Sequence, residues 1–245
     1  MILELITNNS RLNSQELIYS VLMIIICTII AIIIHEFGRN FIINRIEEAK
    51  NLKIKNKLFS LNNLITVFLM LIFGSAWNNP VSKSSLDKNQ KGRIAIGGLT
   101  VSLIFSFIIV FLGEIFVLFI STFLSDAPEI IQNVGMSFFE TLAVVNISLL
   151  IFNILPVPPL DGSKIIGMAM NEDLYDKYMS LEKYSLFFLV IILIFICRMQ
   201  IIPEFDLSNE AETYVTTPYT VNNFMIGHIL FAFKWISQLF TGLFI

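Results

Sequence analysis

Long apolar runs alternate with charged segments along the whole chain. The first run, residues 17–34, contains 18 residues without a charge; as a helix it would be about 27 Å long, close to the thickness of the hydrocarbon core of a bilayer. Four later apolar runs, each with a single charged residue, lie at residues 94–124, 134–155, 185–202 and 223–245. We therefore predict five membrane-spanning helices, the first of which continues through its polar end to cover residues 17–46.

A shorter apolar run, residues 61–74, would be about 21 Å long as a helix, which is too short for a comfortable crossing. The polar segments on both sides of it carry an excess of Lys and Arg, as cytoplasmic loops do. This pattern predicts a re-entrant segment. The segments 125–133 and 203–222 carry acids but no cation and are predicted to be external, so the N-terminus lies outside and the C-terminus in the cytoplasm.

The composition agrees with a membrane protein, since 56% of the 245 residues are hydrophobic and only 14% are charged. We predict an all-α polytopic membrane protein made of a single membrane domain, residues 1–245. The net charge of -3 gives no basic field for nucleic-acid binding. Cys27 and Cys197 stand alone in apolar runs and are interpreted as small buried residues, because no spacing suggests a thiolate metal site or a disulfide.

Three ionisable residues interrupt the end of the first apolar run: His35, Glu36 and Arg39. Residues four apart lie on one face of a helix, so His35 and Arg39 point the same way. Ionisable side chains within a membrane helix are expensive and usually functional. With a histidine in place of Arg39 the segment would be H-E-x-x-H, in which two imidazoles bind zinc and the glutamate acts as a general base.

The predicted topology places His35 and Asp161 at one depth, near the cytoplasmic face, because the first and third spans run in the same direction. Asp161 follows a proline-broken segment, residues 156–159, which cannot continue the preceding helix. Taken alone, Asp161 before a glycine would be ordinary turn chemistry. The same topology predicts that Glu114 and Glu140 lie near the opposite membrane face, and we interpret them as interfacial or bundle-lining carboxylates.

Residues 153–162 read N-I-L-P-V-P-P-L-D-G, and this segment resembles the N-x-L-P-x-P-P-L-D-G motif of site-2 proteases, the intramembrane zinc metalloproteases. Residues 73–81 are similar to a F-G-W-A-K-P-V-P-V stretch of the compact bacterial and archaeal branch. The resemblance implies a site-2-protease-like core in a bacterial cell membrane. It implies zinc ligation by His35 and Asp161 and a general base at Glu36. The further motif positions are Asn153, Pro156, Pro158 and Gly162.

The chain departs from the family pattern at three places. Arg39 replaces the second histidine, and a guanidinium has no lone pair to offer a metal. Residues 97–102 read G-G-L-T-V-S where the family usually has A-G-P-x-x-N. Ser60 and Asn62 stand where an H-x-D pair is common.

Three functions are compatible with these residues. The first is an active intramembrane zinc metallopeptidase with an altered ligand set, in which His228 would be the substitute ligand, although a lone histidine on an apolar helix is more often a packed one. The second is a catalytically degenerate homologue, without zinc, that binds the membrane helices of client proteins within the bilayer. The third, a channel or carrier, is the weakest because duplicated halves are absent. We favour the second, and expect Arg39 near the vacated metal position, paired with Asp161 or Glu36.

Overall fold

The computed structural model describes residues 14–50, 61–73, 76, 86–123, 128–198, 200–201 and 219–241. These residues form eight α-helices, one 3-10 helix and one two-stranded pairing. The helices are α1 (Ser14–Lys50), α2 (Leu61–Phe73), α3 (Lys88–Phe123), α4 (Glu129–Ile154), α5 (Asp161–Gly167), α6 (Glu172–Met179), α7 (Ser185–Arg198) and α8 (Val221–Thr241). The 3-10 helix is Ser180–Tyr184, and the strands β1 (Gln200–Ile201) and β2 (Tyr219–Thr220) pair antiparallel.

Three of the described helices are long and apolar enough to cross a membrane: Leu17–Ile46, Lys88–Phe123 and Gln132–Ile154. The predicted all-α membrane class is confirmed. The count of five crossings with a re-entrant segment at residues 61–74 stays a prediction, as do the orientation and the single-domain boundaries. The predicted re-entrant segment corresponds to α2, in which Leu64–Phe73 is an apolar helix shorter than the three long ones.

The three long helices α1, α3 and α4 pack against one another and enclose the main apolar core. Ile24, Ala31, Val145 and Phe152 are buried in it. The approach of α1 to α3 is closest at two glycines, because a methyl group added at Gly38 would overlap the Gly97 carbonyl and one added at Gly97 would contact the backbone of Gly38. This contact brings the polar end of α1 directly against the first third of α3.

The α3 helix begins six residues before the predicted apolar span, at Lys88. The Asp87 carboxylate accepts from the Gln90 backbone N–H at 2.8 Å, and the Gln90 side chain accepts from the Asp87 N–H at 3.2 Å. This reciprocal pair is a capping box, which satisfies two backbone donors at the start of the helix. Capping chemistry rather than hydrophobicity therefore sets this boundary.

Short helices follow the proline segment, between the spans predicted at residues 134–155 and 185–202. The α6 helix begins after Asn171, whose side chain accepts from the Leu174 backbone N–H at 2.8 Å. The lysine at the start of α3, Lys88, bonds to the Met170 carbonyl and pairs with Glu172 at 3.1 Å. The short helices are thus fastened to the end of α3.

Several predicted features lie outside the described residues. They are residues 51–57 of the Lys- and Arg-rich segment before the shorter apolar run, Ser60, the family-like residues 77–81, and most of the predicted external segment 203–222. The strand β2 and the first residues of α8 fall at the end of that segment.

Candidate active site

The polar end of α1 supplies three of the site residues. His35 and Arg39 are one helical turn apart, and both side chains are buried. Glu36 lies beside them and keeps 13% of its side-chain surface exposed. A buried imidazole and a buried guanidinium on one face require polar partners from other elements.

Asp161 is the first residue of α5 and is completely buried. The proline segment turns the chain after α4, and Gly162 allows it to come back on itself, because a side chain at that position would overlap the carbonyls of Ile154 and Leu155. The Ser163 hydroxyl donates to the Leu160 carbonyl at 2.7 Å and fixes the start of the helix. These contacts hold the Asp161 carboxylate against α1.

One oxygen of Asp161 lies within hydrogen-bond distance of both the His35 and the Arg39 side chains. Its Oδ2 lies 2.9 Å from His35 Nε2, 3.1 Å from Arg39 Nε and 2.5 Å from Arg39 Nη2. The other oxygen, Oδ1, accepts from Lys164 Nζ at 3.0 Å. The predicted meeting of His35, Arg39 and Asp161 is present, across 126 and 122 residues of sequence.

Arg39 also reaches the second carboxylate, since its Nη1 donates to Glu36 Oε1 at 2.7 Å. The guanidinium therefore bridges Asp161 and Glu36, and both of the pairings expected from the sequence are formed. With Lys164 included, two cations face two carboxylates in the cluster. The site is thereby electrically balanced by the chain's own side chains.

Lys164 was given no role from the sequence, although its spacing of three residues from Asp161 places it on the same side of a helix. Its side chain is buried. Burial lowers the pKa of the Lys164 ammonium, and the adjacent Asp161 offsets part of this effect. For Asp161, burial alone would raise the carboxyl pKa, but the charges of Arg39 and Lys164 and the His35 hydrogen bond hold it well below its usual range. Asp161 is therefore a carboxylate at neutral pH.

The second nitrogen of the imidazole, His35 Nδ1, lies 3.0 Å from Ser102 Oγ on α3. Behind it, Asn146 on α4 donates to the Ser102 carbonyl at 2.9 Å and to Ser106 Oγ at 2.8 Å. Ser102 was recognised from the sequence only as a departure from the family pattern. Asn146 was not recognised, because a single amide in an apolar run does not reveal its partner.

The other predicted motif positions lie at the end of α4, in the proline segment that follows it and in the first turn of α5. Asn153 is buried on α4 and donates to the Leu149 carbonyl at 2.7 Å. The Pro156 carbonyl accepts from the Tyr178 hydroxyl at 2.6 Å, and Pro158 is buried. His228, the proposed substitute ligand, has an exposed side chain on α8, whereas His35 is buried.

The residues present do not fit a zinc ion. Zinc sites use three or four Cys, His, Asp or Glu side chains, and no group of three or more such residues able to hold a metal occurs among the described residues. The two candidate ligands, His35 Nε2 and Asp161 Oδ2, are hydrogen-bonded to each other. The position of the second histidine of H-E-x-x-H is taken by the Arg39 guanidinium, which repels a dication and has no free electron pair for it.

Comparisons with known proteins assign the chain to a family. Residues 23–197, well over half of the chain, match the model of peptidase family M50, and this match includes every residue of the His35 and Asp161 cluster. Neither the curated proteins nor the solved structures contain a match to the chain. Members of the M50 family are intramembrane zinc metallopeptidases, and the three long apolar helices make this chain an integral membrane protein. The chain belongs to peptidase family M50.

Proposed function

We propose that this M50 protein is a catalytically degenerate member that binds the membrane helices of client proteins without cleaving them. The observation that carries the proposal is the position of Arg39, whose guanidinium bonds to Asp161 and Glu36 at the same time. These are the family's third zinc ligand and its general base. The Arg39 side chain thus forms hydrogen bonds with both of the carboxylates that the reaction would need.

The electrostatics of the cluster favour the metal-free form. A buried carboxylate beside a partly exposed one requires a compensating charge, which zinc supplies in an active family member and Arg39 with Lys164 supply here. A dication entering the site would be repelled by both cations at short range. It would also find one imidazole and one carboxylate where the family offers three ligands, and the loss of a ligand removes much of the affinity.

The shape of the fold supports retention of a binding role. The M50 match extends through 23–197, and the cluster is fully hydrogen-bonded in its altered form. Glu36 is the partly exposed member of the cluster, so the site is open on the Glu36 side of α1. The Phe37 side chain, about 100° around α1 from Glu36, is exposed and would contact a membrane helix that packs along this end of α1.

Total-metal analysis of the purified protein tests the degenerate site. We expect no stoichiometric zinc in the unmodified protein after exposure to zinc and washing. Arg39→His restores H-E-x-x-H and should bind zinc, and the double variant Arg39→His with Asp161→Ala should lose it again. Stoichiometric zinc in the unmodified protein that disappears in Asp161→Ala would instead favour an active metallopeptidase with an altered ligand set.

Site-specific photocrosslinking tests the client-binding role. A photoreactive amino acid at position 37, beside Glu36, should crosslink to transmembrane segments of other proteins, identified by mass spectrometry. The matched control is position 187 on α7, where Phe187 is also an exposed phenylalanine. Crosslinks to lipid alone at position 37, or the same proteins at both positions, would contradict the proposal.

A further inference from the structure

A cavity lies between α3, α4 and α8, away from the His35 and Asp161 cluster. Its volume is about 480 Å³, within the range of small-molecule sites. Along α3, Glu114 in this cavity is sixteen residues from Gly98, which contacts His35; this separation corresponds to about 24 Å of helix. The carboxylate of the cavity is therefore far from the charged groups of the M50 site.

The wall of the cavity is mainly apolar. It consists of Val110, Val117, Met136, Phe139, Val144 and Leu230. The Phe139 ring is held by Phe116 and Phe138, with ring centroids 5.6 Å away in each case. Since α3 and α4 are long and apolar enough to cross a membrane, a ligand would enter through the lipid and must have an apolar body.

Three charged residues interrupt this wall, and their charges do not cancel. Lys234 on α8 pairs with Glu140 on α4 at 3.6 Å. Glu114 on α3 also lines the cavity, and it takes part in none of the ion pairs formed among the described residues. The cavity therefore has a net charge of one negative unit within an otherwise apolar lining.

We propose that this cavity binds an amphiphile with a single positive charge, whose ammonium group pairs with Glu114 and whose apolar tail lies against Phe139 and Leu230. The charge complements the one carboxylate that Lys234 does not neutralise. The face of an aromatic ring such as Phe139 also attracts a cation. A primary ammonium is the charged group of simple long-chain amines and is also the one positive group of aminophospholipids, which carry a phosphate besides.

Calorimetric titration tests the charge requirement, with the protein in phosphatidylcholine nanodiscs at neutral pH and empty nanodiscs as the blank. Dodecylammonium chloride should bind saturably, and neutral dodecanol should bind much more weakly. Glu114→Gln should weaken dodecylammonium binding about tenfold or more, the range for a hydrogen bond to a charged group. Lys234→Met should strengthen it, because two carboxylates then remain. Glu172→Gln, which removes an exposed carboxylate on α6, is the matched control.

The opposite responses of Glu114→Gln and Lys234→Met make the proposal falsifiable even if one variant folds poorly. Val117→Trp, which fills the cavity, should reduce binding, whereas Leu112→Trp, on an exposed position of the same helix outside the cavity, should not. Absence of saturable binding, equal binding of dodecanol, or identical affinity in both charge variants would overturn it. Competition by lauroyl lysophosphatidylethanolamine would assign the site to aminophospholipids, and failure to compete would assign it to simple amines.

Discussion

Arg39 and Asp161, 122 residues apart in the chain, are joined by two hydrogen bonds to one carboxylate oxygen. Both residues are buried, so neither charge is compensated by bulk water. The pair connects the polar end of α1 to the first residue of α5. It is therefore a tertiary link as well as a substitute for a metal ion.

Removing the guanidinium should destabilise the protein strongly. Arg39→Ala leaves Asp161 and Glu36 without their shared partner, and breaking a buried pair in this way costs roughly 3–5 kcal/mol. Denaturant titration of the detergent-solubilised protein measures the change in the free energy of unfolding. Glu172→Gln is the control, because Glu172 is 75% exposed and a surface pair contributes about 0–1 kcal/mol, while the bond of Lys88 to the Met170 carbonyl remains. A loss no larger than that of the control would show that the Arg39 pair is not stabilising.

Gly98 should be intolerant of a side chain for a reason specific to the site. A methyl group there would lie 2.8 Å from His35 Nε2 and 3.0 Å from Arg39 Cγ. We expect Gly98→Ala to lower the free energy of unfolding by about 1–3 kcal/mol through overpacking.

Gly227 on α8 provides the matched control, since nothing lies within 4 Å of a methyl group added there. Gly227→Ala should be neutral or stabilising by up to about 1 kcal/mol, the usual gain in a helix interior. The two variants are compared in the same denaturant titration. Equal effects at the two glycines would mean that α1 and α3 adjust freely around His35.

The Tyr178 hydroxyl should make stability depend on alkaline pH. Burial raises the pKa of this phenol, and its hydroxyl donates to the Pro156 carbonyl. A group whose pKa is raised on folding contributes stability below its unfolded pKa, about 10, and that stability is lost as the pH rises through the higher folded value. Unfolding measured from pH 8 to 12 should therefore show a shallower alkaline decline in Tyr178→Phe than in the unmodified protein.

The same variant should be less stable at pH 8 by about 0.5–1.5 kcal/mol, the net value of one hydrogen bond. Tyr175 remains as a second buried phenol with a raised pKa and accounts for the residual decline. Tyr184→Phe, at an exposed position of the 3-10 helix, is the control. An unchanged alkaline profile in Tyr178→Phe would rule out this contribution.

The re-entrant reading of residues 61–74 predicts that the segments before and after it lie on the cytoplasmic side. Single cysteines at Asn56 and at Asn89, which is exposed on α3, should be labelled by an impermeant reagent from the same side of oriented vesicles. Cys27 and Cys197 are first replaced by Ala to remove background labelling. Labelling of the two positions from opposite sides would mean that the segment between them crosses the bilayer.

The meeting of His35 with Asp161 was predictable because two different signals agreed. The distribution of Lys and Arg in the loops predicted that both residues lie at the same membrane depth, and the proline motif predicted that the chain turns at Asp161. The pairing of Arg39 followed from electrostatics together with the family resemblance, since carboxylates in a membrane require a cation and the resemblance places Asp161 against the first helix.

Lys164 and Asn146 could not be found in the same way. Their partners depend on how α4 and α5 rotate about their axes, and an apolar run or a mixed-charge stretch does not fix that rotation. The α6 helix did carry a local signal: Asn171 as a cap, Glu172 and Asp173 in the first turn and Lys177 in the last. Capping residues mark short polar helices that hydrophobicity cannot detect.

The contact between Gly38 and Gly97 also restricts changes in chain length. One inserted residue rotates everything beyond it by about 100° around a helix. An insertion between His35 and Gly38 would carry the imidazole away from Asp161 while the glycine contact kept Arg39 in place. Insertions and deletions that preserve the site must therefore fall outside residues 35–39, in the connections between helices.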